Sequence, residues 1–325
     1  MKPLFMWAGG KNKMLSKYQQ AAALPSNFGS YVEPFFGGGA MFIWAYEQNP
    51  EAKFYINDIN PHIMGIYQAI RDDCDAFCNV LNGLEAIYLP LKSPKEIPTN
   101  KELQKKHEIP GLKRRYDWRA IYREESTRRH FYFKLRDRYA WRHEKWKPTF
   151  EAAVLYFLMK TGFNGIWQLN QNTNGRFGTP CGLLNQKDKV YDRDNVRKWH
   201  EALQRCELFA QDFSEMLPHV GKGSFVFLDP PYRGSFADYG TDADDSFQQR
   251  VINFLNDCTS SGAYAIMSNR DTGDGFFEAR SGDNEIQYFD VTYTAGRRKK
   301  LEDGTYKATK ATEILMKGKL NVRKP

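Results

Sequence analysis

A mainly parallel α/β sheet with an inserted, largely helical domain is the fold the sequence predicts, on three observations. A short strand, a glycine-rich turn, a helix and a second strand ending on an acid follow one another within residues 31–58. The alternation then gives way to a polar, basic, helix-prone stretch. It resumes after about residue 190 with further strand-like runs, among them the wholly apolar Phe225–Leu228. Strand, glycine turn, helix, strand, acid is how a nucleotide-binding α/β unit opens. The expected domains are therefore 1–65 joined to 190–325 as one α/β domain, with 66–189 as the insertion.

The elements follow in order. A helix-like stretch after Lys11 reaches Ala23, and Leu24–Gly29 breaks it. Tyr31-Val32-Glu33 is a strand feeding Pro34-Phe35-Phe36-Gly37-Gly38-Gly39, and Ala40–Glu47 is the helix beyond. The glycines let a ligand approach the backbone closely. Phe54-Tyr55-Ile56 is the next strand, ending at Asn57-Asp58, where nucleotide folds place a ribose-binding carboxylate. Pro61–Leu81 has helical periodicity, and Glu151–Thr161 reads as an apolar helix. Gly162–Gly182 is rich in Gly, Asn and Gln around Asn174-Gly175, a pair that favours a two-residue turn, so a β-hairpin or long loop is expected. A helix at Asn195–Arg205 precedes strands at Glu207–Phe209, Phe225–Leu228, Ala263–Met267, Ile286–Thr292 and Glu313–Met316.

Phe225–Leu228 runs straight into Asp229-Pro230-Pro231-Tyr232. The prolines cannot continue a ladder and stiffen the turn. Asp229 and Tyr232 then stand at the carboxyl end of a strand, where open α/β sheets bind ligands. A rigid acid beside a flat ring suits a planar substrate bearing an amino group.

Composition narrows the partners. The net charge is +8, yet residues 101–150 hold 16 Lys and Arg against 7 Asp and Glu, so the whole surplus lies in that window. Ten aromatics share it, from Tyr116 to Phe150. Cations interleaved with rings suit a nucleic-acid surface. The five scattered cysteines lack a CxxC pair, which points to neither a disulfide framework nor a structural metal. No apolar run is long enough for a bilayer and no signal peptide opens the chain, so a cytoplasmic, DNA-associated protein is expected.

Trp-Ala-Gly-Gly-Lys at 7–11, Glu-Pro-Phe-Phe-Gly-Gly-Gly at 33–39, Asn57-Asp58 and Asp-Pro-Pro-Tyr at 229–232 occur in one order. With Leu158–Gly165, Gln211-Asp212-Phe213, Ile266–Asp271 and Thr312–Leu315, the chain resembles the Dam family of DNA adenine methyltransferases nearly end to end. That resemblance implies a Rossmann-like S-adenosylmethionine methyltransferase sheet with an inserted, mainly helical target-recognition domain carrying a β-hairpin. It implies that Trp7 and Lys11 help hold S-adenosylmethionine, that Phe36, Gly37 and Gly39 line its methionine part, that Glu33 and Pro34 also belong to the cofactor site, and that Asp58 binds its ribose. Asp212 and Phe213 would flank its adenine, and Asp229 would meet both donor and target.

The chemistry asks for such a site. The lone pair of an adenine amino group is delocalised into the ring. A carboxylate (Asp229) and a carbonyl (Pro230) accepting its two N–H bonds favour a pyramidal nitrogen, while Pro231 stiffens the turn and Tyr232 stacks on the base. Positioning is then a large part of catalysis, and no metal is required. A base inside a duplex must be flipped out, at a cost on the order of a few kcal/mol. Phe163, Asn164, Ile166 and Trp167 are expected to fill the gap. Gln168, Asn170, Asn172 and Arg176 would read bases in the major groove, amides pairing with adenine and arginine with guanine. Lys113, Arg114, Arg115, Arg128 and Arg129 would meet phosphates.

Gln168 marks a departure: family members acting on GATC tend to carry arginine there, so the resemblance does not carry that target over. The expected partners are double-stranded DNA and, in a restriction-modification setting, a cognate restriction endonuclease, with the enzyme a monomer or weak dimer. Alternatives are methylation of the cytosine amino group, an inactive DNA-binding relative, and a nicotinamide-dependent dehydrogenase; the missing GxGxxG and the basic insertion oppose the last.

Overall fold

The structure, a computed structural model, describes residues 1–7, 11–93, 127–170, 176–234, 243–293, 299–300, 306–307 and 309–320. Lys113, Arg114, Arg115, Asn172 and the Asn174-Gly175 pair lie outside the described residues. In chain order the elements begin with α1 (Asn12–Gln20), β1 (Ser30–Glu33), α2 (Ala40–Gln48), β2 (Lys53–Asn57), α3 (Pro61–Asp72) and α4 (Cys74–Tyr88). Next come α5 (Arg128–Arg142), α6 (Pro148–Thr161), β3 (Leu169–Asn170), β4 (Arg176–Phe177), α7 (Arg193–Leu203), β5 (Cys206–Phe209) and β6 (Ser224–Leu228). The last are α8 (Asp245–Ser260), β7 (Tyr264–Asp271), β8 (Glu285–Tyr293), β9 (Lys299–Lys300), β10 (Tyr306–Lys307) and β11 (Thr309–Lys317). No helix among the described residues is long and apolar enough to cross a membrane.

The chain divides into two compact units. One comprises Met1–Pro3, Ala8–Met64 and Glu201–Pro325, and holds a seven-stranded sheet in the order β5-β2-β1-β6-β7-β11-β8. Neighbours from β5 to β7 pair parallel, while β11 runs antiparallel to β7 and β8. This Rossmann-like arrangement follows from the strand sequences. Every residue of β6 is buried, as a central parallel strand covered on both faces requires. The edge strand β8 instead alternates half-buried with exposed side chains over much of its length. α8 covers one face with Phe247, Val251, Ile252, Phe254 and Leu255, in one core with Val226, Leu228 and Met267. Its first turn is capped by Asp244, which accepts from the Phe247 N–H at 2.8 Å.

The other unit comprises Leu4–Trp7 and Gly65–His200. The helical stretch expected over Pro61–Leu81 is two helices, α3 and α4. The break falls at Asp73, whose side chain caps α4 by accepting from the Ala76 N–H. An acid there competes for backbone donors and ends one helix by starting the next. α6 starts at Pro148, earlier than expected, because proline suits the first helical position. It is buried almost all round and pairs Phe157 with Tyr88 at 5.3 Å and Tyr156 with Phe77 at 5.5 Å. The hairpin is short, pairing Leu169 with Phe177 and Asn170 with Arg176.

Candidate active site

Asp229 leaves the carboxyl end of β6 beside Ser268, which lies within β7. Its Oδ1 takes two bonds, from Lys11 Nζ at 2.8 Å and from Ser268 Oγ at 2.7 Å. Its Oδ2 has no partner among the described residues. Lys11 heads α1, is buried, and also donates to the Tyr232 hydroxyl. Tyr232 in turn donates to Glu313 Oε2 at 3.1 Å. Glu313 is buried on β11, in register with Arg270 of β7. The Tyr18 hydroxyl is buried in the same surroundings without a partner among the described residues.

Electrostatics follow from this crowding. Burial works to lower the Lys11 pKa, but Asp229, Tyr18 and Glu313 outweigh it and hold the ammonium charged. Burial pushes Asp229 above the ordinary carboxylate range, while Lys11 and Ser268 pull it back. The Asp229 carboxylate thus has one oxygen fixed by a cation and a hydroxyl and one oxygen open, an acceptor held in a set orientation.

The loop carrying Asp229 is tied from behind. With two prolines it has few N–H groups for a ladder. The buried Gln248 side chain donates to the Pro231 carbonyl at 2.9 Å, and Asn269 donates to Gln248 Oε1 at 2.8 Å. Asn269 Oδ1 accepts from the Arg233 N–H at 3.2 Å. The Arg233 guanidinium grips Asp245 through two nitrogens and also reaches Asp274 and Thr272.

Beside this loop lies the glycine turn after β1. Gly37 and Gly39 have φ of 48° and 67°, values that favour glycine over residues with a Cβ. Asp58 accepts from the Gly37 N–H through Oδ2 and from the Asn60 N–H through Oδ1, each at 2.9 Å. Burial raises its pKa against those two bonds. Asn57 binds the Pro34 carbonyl and both the carbonyl and the N–H of Gln211, so it fastens the chain ends after β1, β2 and β5 together. Glu33 is buried, accepts from Tyr31 at 2.8 Å, and is pushed well above the usual carboxylate range by that burial, with Asp229 and Asp58 adding to it.

Asp212 is held by Ser214 and by Arg250 at 2.8 Å, which keep its pKa low against the effect of partial burial. Phe213 is buried beside Phe35 at 5.1 Å, with the Arg250 guanidinium 4.9 Å from its ring. Phe36 is a core residue against Phe42, so its backbone rather than its ring faces the turn: its N–H bonds the Asn57 carbonyl.

Trp7 belongs to the other unit, half-buried with its ring 6.0 Å from Phe5. In that unit Phe163 is half exposed on a tight turn where Asn164 and Gly165 both have positive φ. A Cβ on Gly165 would come within 2.8 Å of the Met6 carbonyl, so that position requires glycine twice over. Ile166 and Trp167 are half-buried, and Trp167 packs on Phe177 at 5.2 Å. Gln168 is fixed by its backbone to Thr179 and Gly178, with its side chain partly exposed. Arg176, expected to read a base, donates to the Ala140 carbonyl at 2.9 Å and lies over Trp141. Arg128, expected on the basic face, is buried and spent on the carbonyls of Leu89, Leu184 and Gln186, whereas Arg129 is exposed.

Sequence reasoning passed over Tyr18, Gln248, Ser268 and Glu313 as site residues. The last two lie within stretches that carried the family resemblance, and a signal was there: a hydroxyl beside a strand-end acid and an acid inside an apolar strand.

A family model described as D12 class N6 adenine-specific DNA methyltransferase matches residues 7–295. Type II methyltransferase M.MjaIII of Methanocaldococcus jannaschii is 27% identical over 94% of this chain and 97% of its own length. The retron Ec67 DNA adenine methylase of Escherichia coli is 26% identical over 84% and 78%. Type II methyltransferase M1.LlaDCHI of Lactococcus lactis subsp. cremoris is 24% identical over 92% and 90%.

Proposed function

From the premise that the chain belongs to the D12 class of N6 adenine-specific DNA methyltransferases, and so methylates adenine in DNA, we propose how its residues divide the work. The reading rests above all on the open Oδ2 of Asp229, since Oδ1 is already held by Lys11 and Ser268. Oδ2 accepts one N–H of the adenine amino group and the Pro230 carbonyl accepts the other. Accepting both favours a pyramidal nitrogen with its lone pair free. Tyr232 stacks on the purine and returns about 1–3 kcal/mol toward the cost of extrusion. After attack the nitrogen carries a positive charge and releases one proton; the Asp229 carboxylate stabilises that charge before the proton leaves.

Membership in a methyltransferase family implies S-adenosylmethionine as donor, which supplies an electrophilic methyl on a sulfonium. The residues fit it. The turn at Gly37 and Gly39 admits a ligand against bare backbone, and Asp58, fixed by two N–H bonds, keeps lone pairs for vicinal hydroxyls. Glu33, Pro34, Phe36, Asp212 and Phe213 frame that turn in our reading, with Phe35 and Phe213 offering apolar surface to the donor's adenine. Lys11 acts on Asp229 and Tyr232 rather than on the donor. Trp7 offers its ring to the donor in the same reading.

Residues 66–189 supply the DNA-binding surface in this reading. Phe163, half exposed on a rigid turn, is suited to fill the gap left by a flipped base, and Gln168 to read an edge. With Arg176 tied to Ala140, its contribution is to hold the hairpin. The domain roles proposed are methyl transfer for 1–65 with 190–325 and target recognition for 66–189.

Asp229→Ala tests the assignment. Single-turnover methylation of adenine, followed by nucleoside mass analysis, should fall on the order of 10²–10³-fold or more, as when a transition-state hydrogen-bond partner is removed. DNA retention should stay within a few-fold of the native protein's. A variant that still methylates at close to the native rate would remove Asp229 from the role.

A further inference from the structure

Resting on that reading of Asp229 and Tyr232, we propose that Glu313 is a positioning residue for methyl transfer, anchoring the Tyr232 ring through its hydroxyl together with Lys11. Tyr232 follows two prolines and lies on a loop whose backbone is tied at Pro231 and Arg233. Its ring can turn about its own side-chain bonds unless its far end is held. Among the described residues two groups hold it: the Lys11 ammonium donates to the phenol oxygen, and the phenol donates to Glu313 Oε2. A hydroxyl that accepts from one side and donates to the other has its proton direction fixed, and the ring plane with it.

Glu313 can do this because of where it stands. It lies inside β11, hydrogen-bonded as a strand between β7 and β8, in register with Arg270 on one side and Phe289 on the other. A carboxylate 4% exposed is costly to bury without a counter-charge. Lys11 attracts it electrostatically without a direct ion pair among the described residues, and the same ammonium pairs with Asp229. The cluster therefore couples stacking platform and acceptor through one cation, while Glu313 holds the phenol from the sheet side. A purely charge-balancing Glu313 and a positioning Glu313 differ in one respect: only the second acts through the Tyr232 hydroxyl.

A double-mutant cycle separates them. Glu313→Ala, Glu313→Gln, Tyr232→Phe and the doubles Glu313→Ala/Tyr232→Phe and Glu313→Gln/Tyr232→Phe are compared by single-turnover methylation, by KM for DNA, and by fluorescence of DNA carrying 2-aminopurine at the target. Thermal melts and S-adenosylmethionine affinity monitor the fold. Glu313→Ala should slow transfer on the order of ten- to hundredfold through misplacement, with the KM for DNA little changed. Glu313→Gln keeps an acceptor oxygen and should lose only a few-fold. In the Tyr232→Phe background, Glu313→Ala should add less than about twofold, because the partner it acts through is gone. Losses that multiply in the double variant, or a glutamine variant as slow as the alanine one, would overturn the proposal. Should the alanine protein fail to fold, the glutamine and phenylalanine variants still decide it: a full loss in Glu313→Gln that persists with Tyr232→Phe rejects positioning. Failure of the underlying reading would show elsewhere, as near-native activity in Asp229→Ala.

Discussion

In the proposed role Asp229 acts only while ionised, so its surroundings set a pH dependence. Burial raises its pKa, and Lys11 and Ser268 lower it again. Activity should therefore rise with pH along an acid limb lying above the ordinary carboxylate range. Lys11, with its own pKa raised, stays charged throughout that limb; its contribution to stability is complete below lysine's ordinary value and fades only above it. Lys11→Met removes the main influence lowering Asp229, so the limb should move to higher pH. Lys11→Arg, which keeps the charge, should move it less. A single-turnover pH profile on the three proteins checks this, and a shift to lower pH with methionine would contradict the arrangement. At this scale the acid, the two prolines and the ring were legible from four consecutive residues. Their partners were not, because Ser268 and Glu313 reach Asp229 and Tyr232 only through strand neighbours made by the sheet.

At the level of elements, α5 illustrates both what charge in a sequence reveals and what it hides. Its basic residues look alike along the chain but separate by face once the helix forms. Arg128 and Arg136 are buried, the first spent on carbonyls of the same unit and the second on the Asp137 carboxylate and the Gly178 and Thr179 carbonyls. Lys134, Arg138 and Arg142 recur every fourth residue on the exposed face, and none is in an ion pair among the described residues. Like charges at that spacing repel and destabilise an isolated helix, so the row is better served by a polyanion. Replacing all three with Gln should flatten the slope of log binding against log salt by about 0.9 for each phosphate no longer neutralised, with little change in melting temperature. Arg128→Ala should do the reverse, lowering the melting temperature and leaving the slope alone, because it orphans buried carbonyls rather than freeing a phosphate. Fluorescence anisotropy over a salt series and a thermal melt on the same samples distinguish the two. The strands from Ser30 to Lys317 in the large sheet were the most legible elements, since buried parallel strands are apolar runs that end at turn residues. The break between α3 and α4 was hidden because Asp73 interrupts no hydrophobic period; it only caps.

Across the molecule, the site exists because sheet order brings distant chain segments together. β1, β2, β5 and β6 come from both ends of the sequence, yet their carboxyl ends meet. That the α/β pattern stops and resumes could be read from the chain; which strand ends would touch could not, since register is set by packing. Asn57 makes the convergence concrete. Fully buried at the end of β2, it bonds the Pro34 carbonyl after β1 and closes two bonds with Gln211 after β5. Asn57→Leu strands the buried Pro34 carbonyl, at about 1–3 kcal/mol, and takes a partner from the half-buried carbonyl and N–H of Gln211, which water can reach. Melting should fall by roughly 5–10 °C, given a few degrees per kcal/mol in a protein of this size. Donor affinity should weaken as well, because the Pro34 and Asp58 segments lose a common anchor, and saturating S-adenosylmethionine should restore part of the missing stability by mass action. Calorimetry with and without donor reads both effects. Unchanged melting in Asn57→Leu would mean that the strand ends are held by the sheet ladder alone and that the amide is dispensable.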